Sequence, residues 1–157
     1  MVSHLMSSSI FIRPALESDL SSIVHLDATS NPHPWGESLI IDALQTRKSW
    51  VVKSNENEDG GILGWLTASQ VFDQSELEQI LVNVSARRQG LAKKLMTAWL
   101  DDSEKIGVTE YLLEVRESNL SAINLYESLG FEQVGLRKNY YQTEQGHEAA
   151  CLFTLTI

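Results

Sequence analysis

Three short stretches carry residue types and spacings that chemistry could use. In "RRQGLAKK", residues 87–94, a glycine and an alanine sit two apart among basic side chains, where a strand-like run gives way to a helix-like one. The first amides of a helix have no partners inside it, and its dipole places roughly half a positive charge at that end. Gly90 would let an anion approach the backbone with no Cβ between, and Ala92 keeps the next turn small. Arg87, Arg88 and Lys93 can add charged contacts. A pyrophosphate suits such a turn, although a capped helix behind a solvated basic loop would read the same way.

The second stretch, "SNLSAINLYESLGF", residues 118–131, sets Asn119, Ala122, Tyr126 and Gly130 at i, i+3, i+7 and i+11 of one short helix. Asn119 can cap that helix. A small residue one turn before a tyrosine makes a shelf for an elongated ligand, with the phenol near its end. The same spacing also allows Leu125 and Leu129 to form the core face, with Tyr126 packed beside them and Gly130 a plain C-cap. The third item is Glu114 in "YLLEVRES", where alternation sends Leu112, Glu114 and Arg116 to one side of a strand and Tyr111, Leu113 and Val115 to the other. A carboxylate in a central strand must be paired or stand at a wet cleft, because burying it alone is expensive.

The elements that would position these groups can be read from periodicity. "SSIFIRP" reads as a strand broken at Pro14, and Leu20, Ile23, Val24 and Asp27 then share one helical face. A Pro-punctuated loop, "NPHPWGES", leads into a second helix with Gly36 or Ser38 at its start. "SWVVK" and "GILGWLTASQVF" are strands across the polar turn "SNENEDGG", and "LEQILVNV" is another. The helix after Gly90 has Leu91, Leu95, Ala98, Trp99 and Ile106 at apolar spacing and ends at Gly107. The remainder is a strand at "TEYLLEVRE", the tyrosine helix, a strand from "FEQVGL", a polar loop "NYYQTEQGHE" and a closing strand "AACLFTLTI". The order β α α β β β α β α β β, with crossover helices in the middle and hairpins at the ends, implies an α/β (α+β) domain with a mixed sheet and helices on both faces.

The whole chain bounds the possibilities. At 157 residues it fits one domain, residues 1–157, with no low-complexity tract or repeat. The start "MVSHLMSSSIFIRP" lacks a leader pattern and no apolar run approaches the ~20 residues a membrane span needs, so a cytoplasmic protein is expected. Twelve Lys and Arg against 21 Asp and Glu give a net charge of −9, which disfavours nucleic acid and anionic membranes and suits basic acceptors. Arg87, Arg88, Lys93 and Lys94 nevertheless cluster within eight positions, as a small anion site would require. Cys151 is the only cysteine and reads as a small buried hydrophobe; His4, His25, His33 and His147 lack ligand spacing, so no metal is expected.

"VNVSARRQGLAKKLM" resembles the acyl-CoA pyrophosphate loop of the GNAT superfamily of N-acetyltransferases, Arg/Gln-x-x-Gly-x-Gly/Ala, and "NLSAINLYESLGF" resembles its Asn-x-x-Ala-x-x-x-Tyr-x-x-x-Gly-Phe element. More narrowly, "NPHPWGES", "LLEVRESN", "INLYESLGF" and "RKNYYQTEQGHEAA" are similar to the ribosomal-protein-alanine N-acetyltransferases, the RimI branch. Two departures stand out: "NVSA" lacks the proline common before the loop, and Ala92 replaces its second glycine. The resemblance implies a GNAT-like fold, a mostly antiparallel sheet with one splayed parallel pair, and acetyl-CoA as acetyl donor. It implies Glu114 as general base and Tyr126 as general acid. Cofactor contacts would come from Ile80, Leu81, Val82, Arg87, Arg88, Gln89, Gly90, Leu91, Ala92, Lys93 and Asn119. The acceptor would be a protein N-terminus, that of a ribosomal protein, framed by Trp35, Tyr140 and Tyr141, although Trp35 reads equally well as a hydrophobic plug. A small amine or another protein terminus, and a non-catalytic acyl-CoA module, are the competing readings. Oligomeric state is not legible, and a monomer is compatible with the chain.

Overall fold

The computed structural model describes residues 10–55 and 61–157. The N-terminal segment before Ile10 and most of the "SNENEDGG" turn lie outside them. The order is β1 (Ile10–Pro14), α1 (Leu20–Ser30), α2 (Glu37–Thr46), β2 (Lys48–Ser54), β3 (Ile62–Val71), β4 (Gln74–Val82), α3 (Leu91–Lys105), β5 (Glu110–Arg116), α4 (Leu120–Ser128), β6 (Glu132–Thr143) and β7 (Gly146–Thr156). Short 3₁₀ turns precede α1 and α3. This is the succession that periodicity implies. One seven-stranded sheet runs β1-β2-β3-β4-β5-β7-β6, antiparallel throughout except for β4 beside β5. Among the described residues, no helix is long and apolar enough to cross a membrane.

Helices cover both faces where β2 and β3 are apolar on both sides. On one face Leu91, Leu95, Met96 and Trp99 of α3, with Tyr126 of α4, pack on Trp50, Val52, Leu66, Leu77, Val82, Leu113 and Val115. On the other, Ile23 and Leu26 of α1 and Ile40 and Ala43 of α2 close over Val51, Ile62, Trp65 and Leu81. Leu20, Val24 and buried Asp27 fall on the expected face of α1. Cys151 is buried in the first core, as expected of a small hydrophobe. Ile106 departs from expectation: α3 ends at Lys105 and Ile106, its C-cap, is 53% exposed, because the chain turns at Gly107 with φ of +96° before the apolar face is completed.

Two details of the sheet give the cleft its form. Only Gln74, Ser75 and Glu76 of β4 pair with β5, opposite Glu110, Tyr111 and Leu112. Just beyond, Thr67 faces Gln79 and Ala68 faces Leu77, leaving Glu78 as an extra residue. A bulge bends its strand, and from there β4 leans on β3 while β5 leans on β7, so a wedge opens between the parallel strands. The second detail is β7, which inserts between β5 and β6 as an antiparallel strand. Hence β5 and β6, joined by the α4 crossover, are not neighbours. The stretch "NYYQTEQGHE", a polar loop by composition, is mostly strand: β6 continues to Thr143, and Gly146, with φ of +126°, opens β7 after two intervening residues.

Candidate active site

The turn into α3 offers backbone donors. Arg88 and Gly90 both have positive φ, +67° and +75°, and this curl aims successive amides into one concavity. The amides of Gly90, Leu91, Ala92 and Lys93 donate to no acceptor in the described protein; the first bond of the helix is Lys94 N–H to the Gly90 carbonyl. A Cβ built at Gly90 would meet nothing within 4 Å, so its surroundings are open space. Arg88, Gln89 and Lys93 are exposed there. Leu91 contributes only its amide, since its side chain is core. Arg87 is also exposed but is engaged with the backbone: its Nε donates to the Val82 carbonyl at 3.3 Å and its Nη2 to the Ser30 carbonyl at 3.0 Å. Its visible work is to tie the loop to β4 and α1. Donor set, charge and open space together fit a diphosphate.

The wedge between β4 and β5 continues from that loop. Ile80 N–H does not bond to a strand but to the Oε1 of its neighbour Gln79, at 3.1 Å, an exchangeable partner. The Val82 carbonyl accepts from Arg87, whereas the Leu81 carbonyl turns toward β3, 2.8 Å from where a Cβ on Gly64 would sit. Of the three β4 residues expected to meet an elongated ligand, Ile80 therefore presents an amide held by a neighbouring side chain, while Leu81 is buried and paired with Trp65 of β3.

On the far wall stands Tyr126. Asn119 caps α4 with its Oδ1 accepting from Ala122 N–H at 3.3 Å. At the other end Gly130, φ +99°, lets its own N–H reach the Glu127 carbonyl and Phe131 N–H reach the Tyr126 carbonyl. This is a Schellman closure, and its apolar contact is the Tyr126–Phe131 ring pair, centroids 6.2 Å apart. The Gly-Phe at the end of the motif thus fixes the tyrosine. Tyr126 is the most buried residue of α4, 5% exposed, while Leu125 and Leu129 only flank the core. Burial, and then the nearby Tyr141, push its phenol up to about 12. Its hydroxyl bonds to no described residue.

Beside it, the sheet face formed by β4, β5, β7 and β6 carries charge. Glu114 is 21% exposed at the side chain, and Arg137 Nη2 stands 3.2 Å from its Oε1. Arg116 pairs with Glu148 at 3.1 Å and lies over the Tyr141 ring, 4.0 Å from its centroid. Ser118 and Arg116 hold the Glu148 carboxyl below its usual range. β6 carries three residues, Lys138 to Tyr140, against Ala149 alone between its Arg137 and Tyr141 pairings, with Asn139 at φ +58°; this bulge re-aims Tyr140 and Tyr141, whose rings meet edge-on at 5.0 Å. Burial and Glu114 raise the Tyr141 phenol, against the pull of Arg116. Tyr141 is therefore coupled to both Glu114 and Tyr126.

Glu114 and Tyr126, both singled out by sequence, each lie within electrostatic reach of Tyr141, and five further residues that organise the surrounding structure give no such signal. Arg137, Arg116 and Glu148 lie in stretches notable for other reasons, and cross-strand register is what joins them. Glu76 escapes notice because alternation starts the strand at Leu77, whereas it begins at Gln74. Asp27, by periodicity one more residue on a helix face, organises the "NPHPWG" loop: its carboxylate accepts from Trp35 N–H, Gly36 N–H and Asn31 Nδ2 at 2.9 to 3.1 Å. Trp35 packs edge-on to Trp65 at 5.8 Å, against the second core, which favours the plug reading for that residue. Among the described residues, no group of three His, Cys, Asp or Glu could hold a metal ion.

Comparison with known proteins places the chain. The family model described as Acetyltransferase (GNAT) family matches residues 20–131. The chain belongs to that family. It is thus a GNAT acyltransferase, a family that uses acetyl-CoA. It is 34% identical over 139 residues to the [ribosomal protein bS18]-alanine N-acetyltransferase of Escherichia coli K12, covering 88% of this chain and 92% of the relative. The crystal structure of the ribosomal-protein-S18-alanine N-acetyltransferase from Escherichia coli superposes with a TM-score of 0.87 at 33% identity, over 94% of each chain. NAA60 of Arabidopsis thaliana, in complex with acetyl-CoA, shares the fold with a TM-score of 0.83 at 20% identity, over 95% of this chain and 99% of the other. The mostly antiparallel sheet with one splayed parallel pair is the GNAT-like architecture anticipated from the two motifs.

Proposed function

We propose that the chain, acting as one domain, transfers acetyl from acetyl-CoA to the α-amine of the N-terminal alanine of a ribosomal protein in the cytoplasm. What supports this is a carboxylate on β5 and a buried, protonated phenol on α4, both within reach of Tyr141, together with a diphosphate-ready loop at the turn into α3. The likeness to the alanine N-acetyltransferase of Escherichia coli supports the choice of acceptor.

The diphosphate lies on the amides of Gly90, Leu91, Ala92 and Lys93, with Arg88, Gln89 and Lys93 around it, and the pantetheine arm runs down the wedge, taking the Ile80 amide from Gln79. Ala122 leaves room for that arm, and Asn119 stands at its edge. Glu114 removes the proton as the amine attacks. Its bond to Arg137 does not prevent this, since that guanidinium is 55% exposed and such pairs are worth only about 0–1 kcal/mol. At pH 7, freeing an α-amine of pKa ~7.8 costs about 1 kcal/mol, against about 4.6 kcal/mol for a lysine of pKa ~10.4. A terminal amine is therefore the acceptor that a single carboxylate serves best. Tyr126 faces the departing sulfur as its acid partner.

The test is turnover by the purified protein with acetyl-CoA, an alanine-initiated peptide copied from ribosomal protein S18, the same peptide with its terminus blocked, and a polyamine. Acetylation of the free-terminus peptide alone is expected. Acetylation of the polyamine alone would replace the acceptor, and binding of acetyl-CoA with no turnover would leave an acyl-CoA module.

A further inference from the structure

Four carboxylates lie on or beside the open sheet face next to the wedge, and three have a guanidinium. Glu78 receives Arg47 Nε at 2.9 Å, Glu114 has Arg137 and Glu148 has Arg116. Glu76 has no ion pair or hydrogen bond through its side chain with any described residue. It occupies the last β4 position that pairs with β5, opposite Leu112, so it marks the point where the wedge begins. Ser75 and Leu77 on either side of it turn into the α3 core, Ser75 accepting from Trp99 Nε1 at 2.8 Å, so Glu76 faces the Glu114 side. Strand alternation sets it on the face that also carries Leu112 and Glu114.

Like charges on adjacent strand positions destabilise a sheet. The cations nearby are already committed, Arg47 to Glu78 and Arg137 to Glu114. The groups acting on Glu76 are Glu114 from β5, Glu78 from its own strand and Arg137 from β6; burial and the two carboxylates raise its carboxyl, and Arg137 lowers it. What this place lacks is a small, transient cation, and the substrate of the reaction brings one, because an α-amine near neutral pH arrives mostly as ammonium.

We infer that Glu76 receives the acceptor's α-ammonium at the closed end of the wedge and is a specificity-determining carboxylate, distinct from Glu114, which takes the proton. The inference rests on the proposed acetylation of an amine. Glu76 acts on the protonated acceptor before chemistry, so its weight falls on peptide KM and fades once the amine is neutral. Removing its charge leaves the proton acceptor and the thioester site in place.

The experiment is steady-state kinetics of E76Q and wild type with an alanine-initiated peptide at pH 6.5 and pH 9, together with inhibition by the des-amino peptide, which has no terminal nitrogen. At pH 6.5 the peptide KM of E76Q rises about tenfold, the equivalent of ~1.4 kcal/mol. Its kcat and acetyl-CoA KM stay within about twofold, the KM difference shrinks toward unity at pH 9, and the des-amino peptide inhibits both proteins equally. A KM ratio that is the same at both pH values, or a weaker des-amino inhibitor, would make Glu76 merely structural. A fall in kcat with peptide KM unchanged would make it the base. Each of these three results overturns the inference. Wild-type turnover separately tests the alanine acceptor, and the variant-to-wild-type ratio on whichever amine is acetylated tests Glu76; no turnover on any amine overturns both.

Discussion

Replacing Tyr126 by Phe isolates one hydrogen-bond donor. The ring stays, with its contact to Phe131, and the hydroxyl has no partner among the described residues, so the fold should lose less than about 0.5 kcal/mol. The chemistry loses more. A thiol resembling cysteine has a pKa of ~8.5, whereas burial pushes the Tyr126 phenol up to about 12. Complete transfer of its proton to the departing thiolate would be uphill by about 3.5 pKa units, or ~5 kcal/mol. In the proposed reaction the phenol therefore shares its proton with the sulfur as the C–S bond breaks and keeps it afterwards. Loss of one preorganised donor of this kind costs about 100- to 1,000-fold in kcat, ~2.7–4 kcal/mol.

Thiol release at saturating acetyl-CoA and peptide, monitored from pH 6 to pH 10 in wild type and Y126F, measures this. The expected result is a kcat lower by that factor, an unchanged acetyl-CoA KM, and no downward limb near pH 10 in the wild type, because a phenol near 12 is still protonated there. A wild-type limb near pH 10 that vanishes in Y126F would mean that the phenol titrates in the ordinary range and surrenders its proton. Equal kcat values would remove Tyr126 from the reaction.

Other residues carry expectations of their own. E114Q should depress the rate at neutral pH and lose less at high pH, where the amine deprotonates unaided; an equal loss at every pH would assign Glu114 a structural role. G64A places a Cβ 2.8 Å from the Leu81 carbonyl, 3.1 Å from Val52 and 3.2 Å from Leu95, so overpacking should cost about 1–3 kcal/mol in a denaturant melt, and an unchanged midpoint would show that β3 can move away. G90A meets no atom, yet φ of +75° strains any Cβ by about 1–2 kcal/mol; acetyl-CoA binding by calorimetry should weaken, and G90N should recover part of it. Arg13 holds Asp19 through two 2.8 Å bonds, and with the Leu16 amide it outweighs burial to lower the Asp19 carboxyl. That contribution is present above the unfolded pKa of ~3.9 and disappears as pH falls through the lower folded value. D19N should therefore narrow the difference in urea midpoint between pH 7 and pH 3, and an undiminished difference would place the acid lability elsewhere.

What can be read from sequence and what cannot divides along the range of the interaction. The tyrosine helix is legible because its cap, its shelf and its closing Gly-Phe lie within thirteen residues, and each does local work: Asn119 on Ala122, Gly130 on Glu127, Phe131 on Tyr126. The turn into α3 is legible for the same reason. Glu114 is legible as a problem, a carboxylate in a central strand, but its partner Arg137 comes from β6, two strands away across β7. Glu76 is hidden by a strand boundary misplaced by three residues, since a carboxylate in a turn has no address and one on a strand has a face. The wedge depends on a single extra residue in β4, Glu78, set against the continuous register of β3. Alternation predicts each strand's two faces, yet it is silent about where pairing stops, and the place where pairing stops is where the proposed function sets the thioester.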